Sequence, residues 1–152
     1  MTLTEELFRL IRAFEKESID YAVCGGLAMA LHGYARTTQD IDVMMLAENV
    51  DRAKAVARQA GFEIDAGRMD FGGGQSCIYR LNKIDPEYED ALPLDIVMVT
   101  KNNQNVWDNR IPVETRLGPI WSITKDGLIQ MKKLSGRKQD MADIERLEES
   151  DG

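Results

Sequence analysis

The stretch Val23 to Met45, VCGGLAMALHGYARTTQDIDVMM, constrains this chain more than any other. Its order predicts a strand, a tight glycine turn, a short helix, a basic turn and a second strand that opens on two acids. Gly25-Gly26 let the backbone turn sharply without a Cβ in the way. Leu27 to Leu31 is expected to form the helix, with Gly33 as its stop. Side chains alternate along a strand, so Asp40 and Asp42 project to one face while Ile41 points into the core. Two carboxylates on one face beside a glycine turn suit a hard divalent cation.

The rest of the chain reads as alternating helices and strands. Thr2 and Glu5 fit a capping box. Leu3, Leu7, Leu10, Ile11 and Phe14 follow at helical spacing. Ile19 to Cys24 and Ile41 to Leu46 are the first two strands. Asn49 is the expected cap of a helix running to Ala60. Phe62 to Asp65 reads as a short third strand. Ala66 to Gln75, with Gly72-Gly73-Gly74, reads as a mobile loop, and Ser76 to Leu81 as the next strand. There Cys77 and Tyr79 share one face, and Ile78 and Arg80 the other. Asn82 to Asp90 is polar, carries Pro86 and reads as a loop. Leu92 to Val99 is the strongest strand, and a single charge, Asp95, lies inside it. A carboxylate in so apolar a run needs a partner, whether a metal, a basic side chain or backbone N–H groups. Asn103 to Asn109 is expected to make a turn or two of helix. Val113 to Leu117 and Pro119 to Ile123 look like strands near the sheet edge, where Trp107 and Trp121 pack. Thr124 caps a helix from Lys125 to Leu134, Ser135-Gly136 is a break, and Arg137 to Glu149 is the last helix.

Length and composition set the bounds. At 152 residues, 43% hydrophobic and 30% charged, the chain is expected to be one soluble domain over residues 1–152. No apolar run is long enough to span a bilayer and the start is no signal peptide, so no membrane partner and a cytoplasmic location are expected. Cys24 and Cys77 sit in strand-like contexts and are expected to be reduced core residues. A net charge of −7 argues against a surface built to hold polyanions, although a local basic patch remains compatible with it.

Taken together, Gly25-Gly26, Asp40-x-Asp42 and the later strand acid Asp95 resemble the nucleotidyltransferase superfamily that includes DNA polymerase β. The likeness is nearest to its small bacterial and archaeal members, including toxins of the AbiEii type. In those a glycine pair, an Ala-rich helix ending in His-Gly, an Arg-x-Thr and an Asp-x-Asp follow in this order. Here these are Gly25-Gly26, Leu27 to Leu31, His32-Gly33, Arg36-Thr37-Thr38 and Asp40-Ile41-Asp42. Lys133, Gly136-Arg137-Lys138-Gln139-Asp140 and Asp143 also look like the tail of this group. Many members carry Gly-Ser where this chain has Gly25-Gly26, which leaves the phosphate contact to backbone N–H groups and the helix start.

The resemblance implies an α/β (α+β) fold, with a mixed twisted sheet flanked by helices and a helical C-terminus. It implies Mg²⁺, with Mn²⁺ as substitute, held by Asp40, Asp42 and Asp95, the three catalytic residues. Asp95 either completes a second metal site, with ions about 3.5–4 Å apart, or acts as general base. Gly25, Gly26, Arg36 and Thr38 would bind the nucleotide's phosphates; pairing of Arg36 with Asp40 or Asp42 is an equal alternative. Lys132, Lys133, Arg137 and Lys138 are candidates from the C-terminal side, of which Lys133 and Arg137 are assigned to the nucleotide. His32 is expected to pack or cap. The implied activity moves an NMP from an NTP such as ATP to a hydroxyl on a tRNA, a protein or a small molecule. The alternative is a catalytically inactive nucleotide-binding or partner-binding module, including one half of a toxin–antitoxin pair. So small a chain leaves little room for a deep specificity pocket, which points to a partner protein or a homodimer completing it.

Overall fold

The structure, a computed structural model, describes residues 2–34, 38–71, 76–84 and 91–149. The chain starts as helix α1 (Leu3–Lys16). The Thr2 hydroxyl accepts from the Glu5 N–H at 3.1 Å, and the Glu5 carboxylate accepts from the Thr2 N–H at 3.1 Å, so the capping box forms as the sequence requires. Leu7, Leu10, Ile11 and Phe14 are buried along one stripe.

Seven strands follow: β1 (Ala22–Val23), β2 (Ile41–Met45), β3 (Ile64–Phe71), β4 (Ser76–Lys83), β5 (Leu92–Met98), β6 (Ile111–Thr115) and β7 (Gly118–Ser122). They form one mixed sheet in the order β3-β4-β5-β2-β1-β7-β6. β2 and β5 run parallel, as do β1 and β7, and the other neighbours are antiparallel. The helices are α1, α2 (Gly25–Leu31), α3 (Val50–Gln59), α4 (Gln104–Asp108), α5 (Lys125–Ser135) and α6 (Lys138–Glu149). α1 packs with α3, α2 with β2 and α5, and α5 with α6. The apolar faces of these layers meet in a core that includes Phe14, Tyr21, Met29, Ile41, Met44, Phe62 and Leu94. No described helix is long and apolar enough to cross a membrane. Cys24 and Cys77 are buried and unbridged.

Several boundaries differ from the sequence reading for physical reasons. The first strand contracts to two residues, because Cys24 already N-caps α2 and only Ala22 and Val23 pair with β2. Asn49 makes no side-chain cap; a 3₁₀ turn over Ala47–Asn49 leads into α3, and the Asn49 amide oxygen instead accepts from Arg52 at 3.3 Å. The third strand runs to Phe71 instead of stopping at Asp65. The segment expected to be a loop pairs with β4 up to Phe71, with a register shift between Asp65 and Gly67. Gly72-Gly73-Gly74 lie outside the described residues. β4 continues to Lys83, where its ammonium meets the buried Glu6 carboxylate of α1 at 2.7 Å.

Candidate active site

The strand pairing brings the acids together. In the parallel β2/β5 pair, Asp42 is the register partner of Asp95, so the two side chains stand side by side on one face of the sheet. Asp40 precedes β2 by one residue and lies two positions from Asp42. In the antiparallel β4/β5 pair Arg80 is opposite Asp95. One row across the sheet therefore reads Asp42, Asp95, Arg80.

Arg80 holds Asp95 with both prongs: its Nε donates to Oδ1 at 2.7 Å and its Nη2 to Oδ2 at 2.9 Å. This is the partner the apolar β5 run demanded, and of the three kinds considered it is the basic side chain. The hydrogen bond to Asp95, first among the causes, raises the Arg80 pKa further above its ordinary value. Asp42 has no such relief. Among the described residues no donor bonds its carboxylate. Burial first, then the charges of Asp95 and Asp40, push its pKa up to about 7. The chain folds this way locally because Gly25, at φ +64°, allows the backbone past Asp42: a Cβ there would lie 2.3 Å from Asp42 Oδ2. A Cβ on Gly26 would lie 2.9 Å from the Thr38 hydroxyl. The two glycines thus press bare backbone against Asp42 and Thr38. The Cys24 N–H, one residue before, donates to the Asp42 carbonyl at 3.0 Å.

From the C-terminal side the structure selects differently among the cations. Thr124 caps α5 by accepting from the Gly127 N–H at 3.0 Å, and Gly136, at φ +68°, ends it. That register turns Lys132 inward. Its ammonium is 3.0 Å from Asp143 and 3.6 Å from Asp140, and all three side chains are almost wholly buried. Lys133, expected at the nucleotide, instead points outward and meets Glu148 at 3.7 Å. The structure does not bring it to the acids. Leu128 is buried one helical turn before Lys132, and that i, i+4 spacing is the signal that separates the two lysines. Arg137 is largely exposed; its Nε donates to Asp140 at 2.9 Å. That bond first, and after it the charges of Asp140, Asp42 and Asp40, raise its pKa. Burial works to raise the Asp140 pKa, but the Arg137 hydrogen bond leads the effects that bring it below its ordinary value.

Thr38 is half-buried beside Gly26, its hydroxyl donating to the Asp40 carbonyl at 3.4 Å. Arg36 and Thr37 lie outside the described residues. His32 caps the end of α2, and its Nε2 lies 2.8 Å from the Ile123 carbonyl, the packing role expected. Trp107 is buried and Trp121 is exposed at the β6–β7 end, with the Arg110 guanidinium over both rings.

The donor set bears on a metal. Asp40, Asp42 and Asp95 offer oxygen alone, which is what Mg²⁺ and Mn²⁺ accept. Asp42, crowded by like charges and lacking a donor, is the group a cation would relieve. The chemistry of the donors, taken alone, suits a hard divalent ion. Yet among the described residues no three acidic, histidine or cysteine side chains already form a metal cluster. Asp95 spends both oxygens on Arg80.

Comparison with known proteins adds the following. A family model described as "Uncharacterised nucleotidyltransferase" matches residues 1–126. No curated protein sequence matches significantly. Among solved structures, the lincosamide antibiotic adenylyltransferase LnuA, lincomycin-bound, is similar over 95% of each chain, with 20% identity and a TM-score of 0.62. ANT(2″)-Ia in complex with adenylyl-2″-tobramycin is similar over 95% of this chain and 87% of that one, with 14% identity and a TM-score of 0.67. The Thermotoga maritima protein TM1012 is similar over 99% of this chain and 96% of that one, with 16% identity and a TM-score of 0.60. At these identities the likeness is one of fold: a mixed α/β sheet flanked by helices, with a helical C-terminus.

Proposed function

Because this chain belongs to the nucleotidyltransferase family whose model spans residues 1–126, we propose that it moves an NMP, in a Mg²⁺-dependent reaction, from an NTP to a hydroxyl of a small molecule. The observation that carries the reading is the juxtaposition of Asp42 and Asp95 in register, with Asp40 beside them and the bare Gly25-Gly26 backbone against Asp42. The small-molecule acceptor is favoured because LnuA was solved with lincomycin and ANT(2″)-Ia with adenylyl-2″-tobramycin, and because a net charge of −7 disfavours RNA. A protein hydroxyl and a tRNA end are the other acceptors the assay must include. The likeness to toxin-type members rests on the sequence motifs alone.

The chemistry follows from the residues. The acceptor hydroxyl attacks the α-phosphorus, a new P–O bond forms, the α–β bridging bond breaks and pyrophosphate leaves. Negative charge grows on the phosphoryl and leaving oxygens, so positioning and electrostatics dominate. Asp40 and Asp42 would hold the divalent ion, which supplies charge neutralisation across the phosphates. Gly25 and Gly26 admit phosphate oxygens close to the backbone, next to the Thr38 hydroxyl. Arg137 places positive charge at the exposed border of the row. Asp95 would either help to hold the ion or take the acceptor's proton.

The test is transfer of α-labelled ATP, CTP, GTP and UTP, with Mg²⁺ or Mn²⁺, to a panel of aminoglycosides, lincosamides, protein and tRNA. Labelled product and pyrophosphate are expected with the native chain and lost in Asp42→Asn with the fold intact. An unchanged rate in Asp42→Asn would reject the assignment. NTP binding by calorimetry without pyrophosphate release for any acceptor would support a non-catalytic binding module.

A further inference from the structure

The bidentate pair between Arg80 and Asp95 bears on how the site loads. Asp95 is almost wholly buried at its side chain, whereas Arg80 is 35% exposed. Both Asp95 oxygens are engaged by one guanidinium. A hard cation binds Asp95 less well while that fork draws on both oxygens, since the two positive charges repel at close approach and each weakens the carboxylate's hold on the other. The cross-strand register fixes the contest. Arg80 and Asp42 flank Asp95 on its two neighbouring strands, so its carboxylate stands between the arginine on one side and the acids on the other. Leaving Asp95 is costly for Arg80 unless another anion with paired oxygens receives it. A triphosphate is such an anion, and a planar guanidinium matches phosphate as well as it matches carboxylate. The exposed side of Arg80 lets it turn toward a ligand without unpacking the strand.

We propose that Arg80 is a positioning residue that withholds Asp95 from free divalent cations and releases it when the phosphates of the nucleotide take up its guanidinium. This rests on the nucleotidyl-transfer reading. It makes metal and nucleotide bind cooperatively, each raising the other's affinity by the same factor.

The experiment titrates Mn²⁺ into the full chain by electron paramagnetic resonance. It is run with and without α,β-methylene-ATP and its CTP, GTP and UTP counterparts, and corrected for Mn²⁺ held by the nucleotide itself. In the native chain one of these analogues is expected to tighten Mn²⁺ binding about 10-fold or more, within the usual range of coupling. Arg80→Ala is expected to bind Mn²⁺ about 10-fold more tightly without nucleotide and to show weaker coupling than the native chain, what remains coming from the phosphates' own contact with the ion. Arg80→Lys, which keeps the charge and loses the fork, should fall between the two. If Arg80→Ala does not fold, Arg80→Lys decides alone. Nucleotide-free affinity no tighter than native in the folded variants, or coupling undiminished, overturns the proposal. Asp42→Asn separates the two levels. If it abolishes Mn²⁺ binding while the Arg80 variants behave as native, only the coupling fails. If it leaves Mn²⁺ binding untouched, the assignment of the metal site fails and the coupling with it.

Discussion

Asp42 stands in an unfavourable electrostatic setting. Its pKa in the folded chain is pushed up to about 7 from the ordinary 3.8 by burial and by Asp95 and Asp40. The folded state therefore binds the proton more tightly than the unfolded chain does. Stability from this group is full below about pH 4, falls as pH rises toward about 7, and is flat beyond. Replacing Asp42 by Asn removes that loss. We expect Asp42→Asn to gain on the order of 2 kcal/mol at pH 8 and nothing at pH 3.5, allowing for the partial solvent access of the side chain. Urea unfolding in the presence of chelator checks both values, and an equal change at the two pH values would contradict them. The substitution expected to remove activity is thus also expected to stabilise the fold. The glycine pair gives a second expectation. Gly25→Ala meets Asp42 at 2.3 Å and also carries a positive φ, whereas Gly26→Ala meets only the Thr38 side chain, at 2.9 Å. Gly25→Ala should cost about 2–4 kcal/mol and most of the transfer rate; Gly26→Ala should cost about half as much. Thermal melts and initial rates rank the two, and a reversed order would be inconsistent with this packing.

At the scale of elements, the α5–α6 pair is held by Lys132 between Asp140 and Asp143. Removing one partner of a buried ion pair strands the others. Lys132→Ala should therefore destabilise by about 3–5 kcal/mol, and Lys133→Ala by no more than about 0.5. Denaturant unfolding of the two variants tests this, and similar costs would refute it. The contrast also shows what was readable beforehand. A basic cluster at the end of this helix is plain in the sequence, but which lysine faces inward depends on helix phase, and Leu128 sets it. β2 and β5 were legible because β-branched and other apolar side chains make long runs there. Asp42 and Asp95 were legible as exceptions within those runs. β3 was legible only at its start: the strand expected over Phe62 to Asp65 meets it at Ile64 and Asp65, but IDAGRMDF has no period-two apolar pattern, as an edge strand has little core to face. Its ladder comes from β4, a tertiary partner the local sequence does not announce. Arg80 was placed on a strand face correctly. Its pairing with Asp95 needed the β4/β5 register, which no local signal specifies.

At the scale of the molecule, a central parallel pair carries the acids and the outer strands carry what surrounds them. The site is thus built from strands far apart in sequence, β2 and β5, with β4 beside them. On that side β3 is the outermost described strand, no described strand pairs with its outer flank, and its half-exposed Ile64 and Phe71 offer apolar grip to a stranger. Two features guard it: the kink at Asp65/Gly67, and the charges Asp65, Arg68 and Asp70 along its length. Deleting Ala66 would straighten the kink. We expect the resulting chain to scatter light at micromolar concentration, with fibre-like growth, where the native chain stays clear; a clear deletion variant would count against this. The register shift at Asp65/Gly67 is thus expected to keep copies of the protein from zipping into filaments.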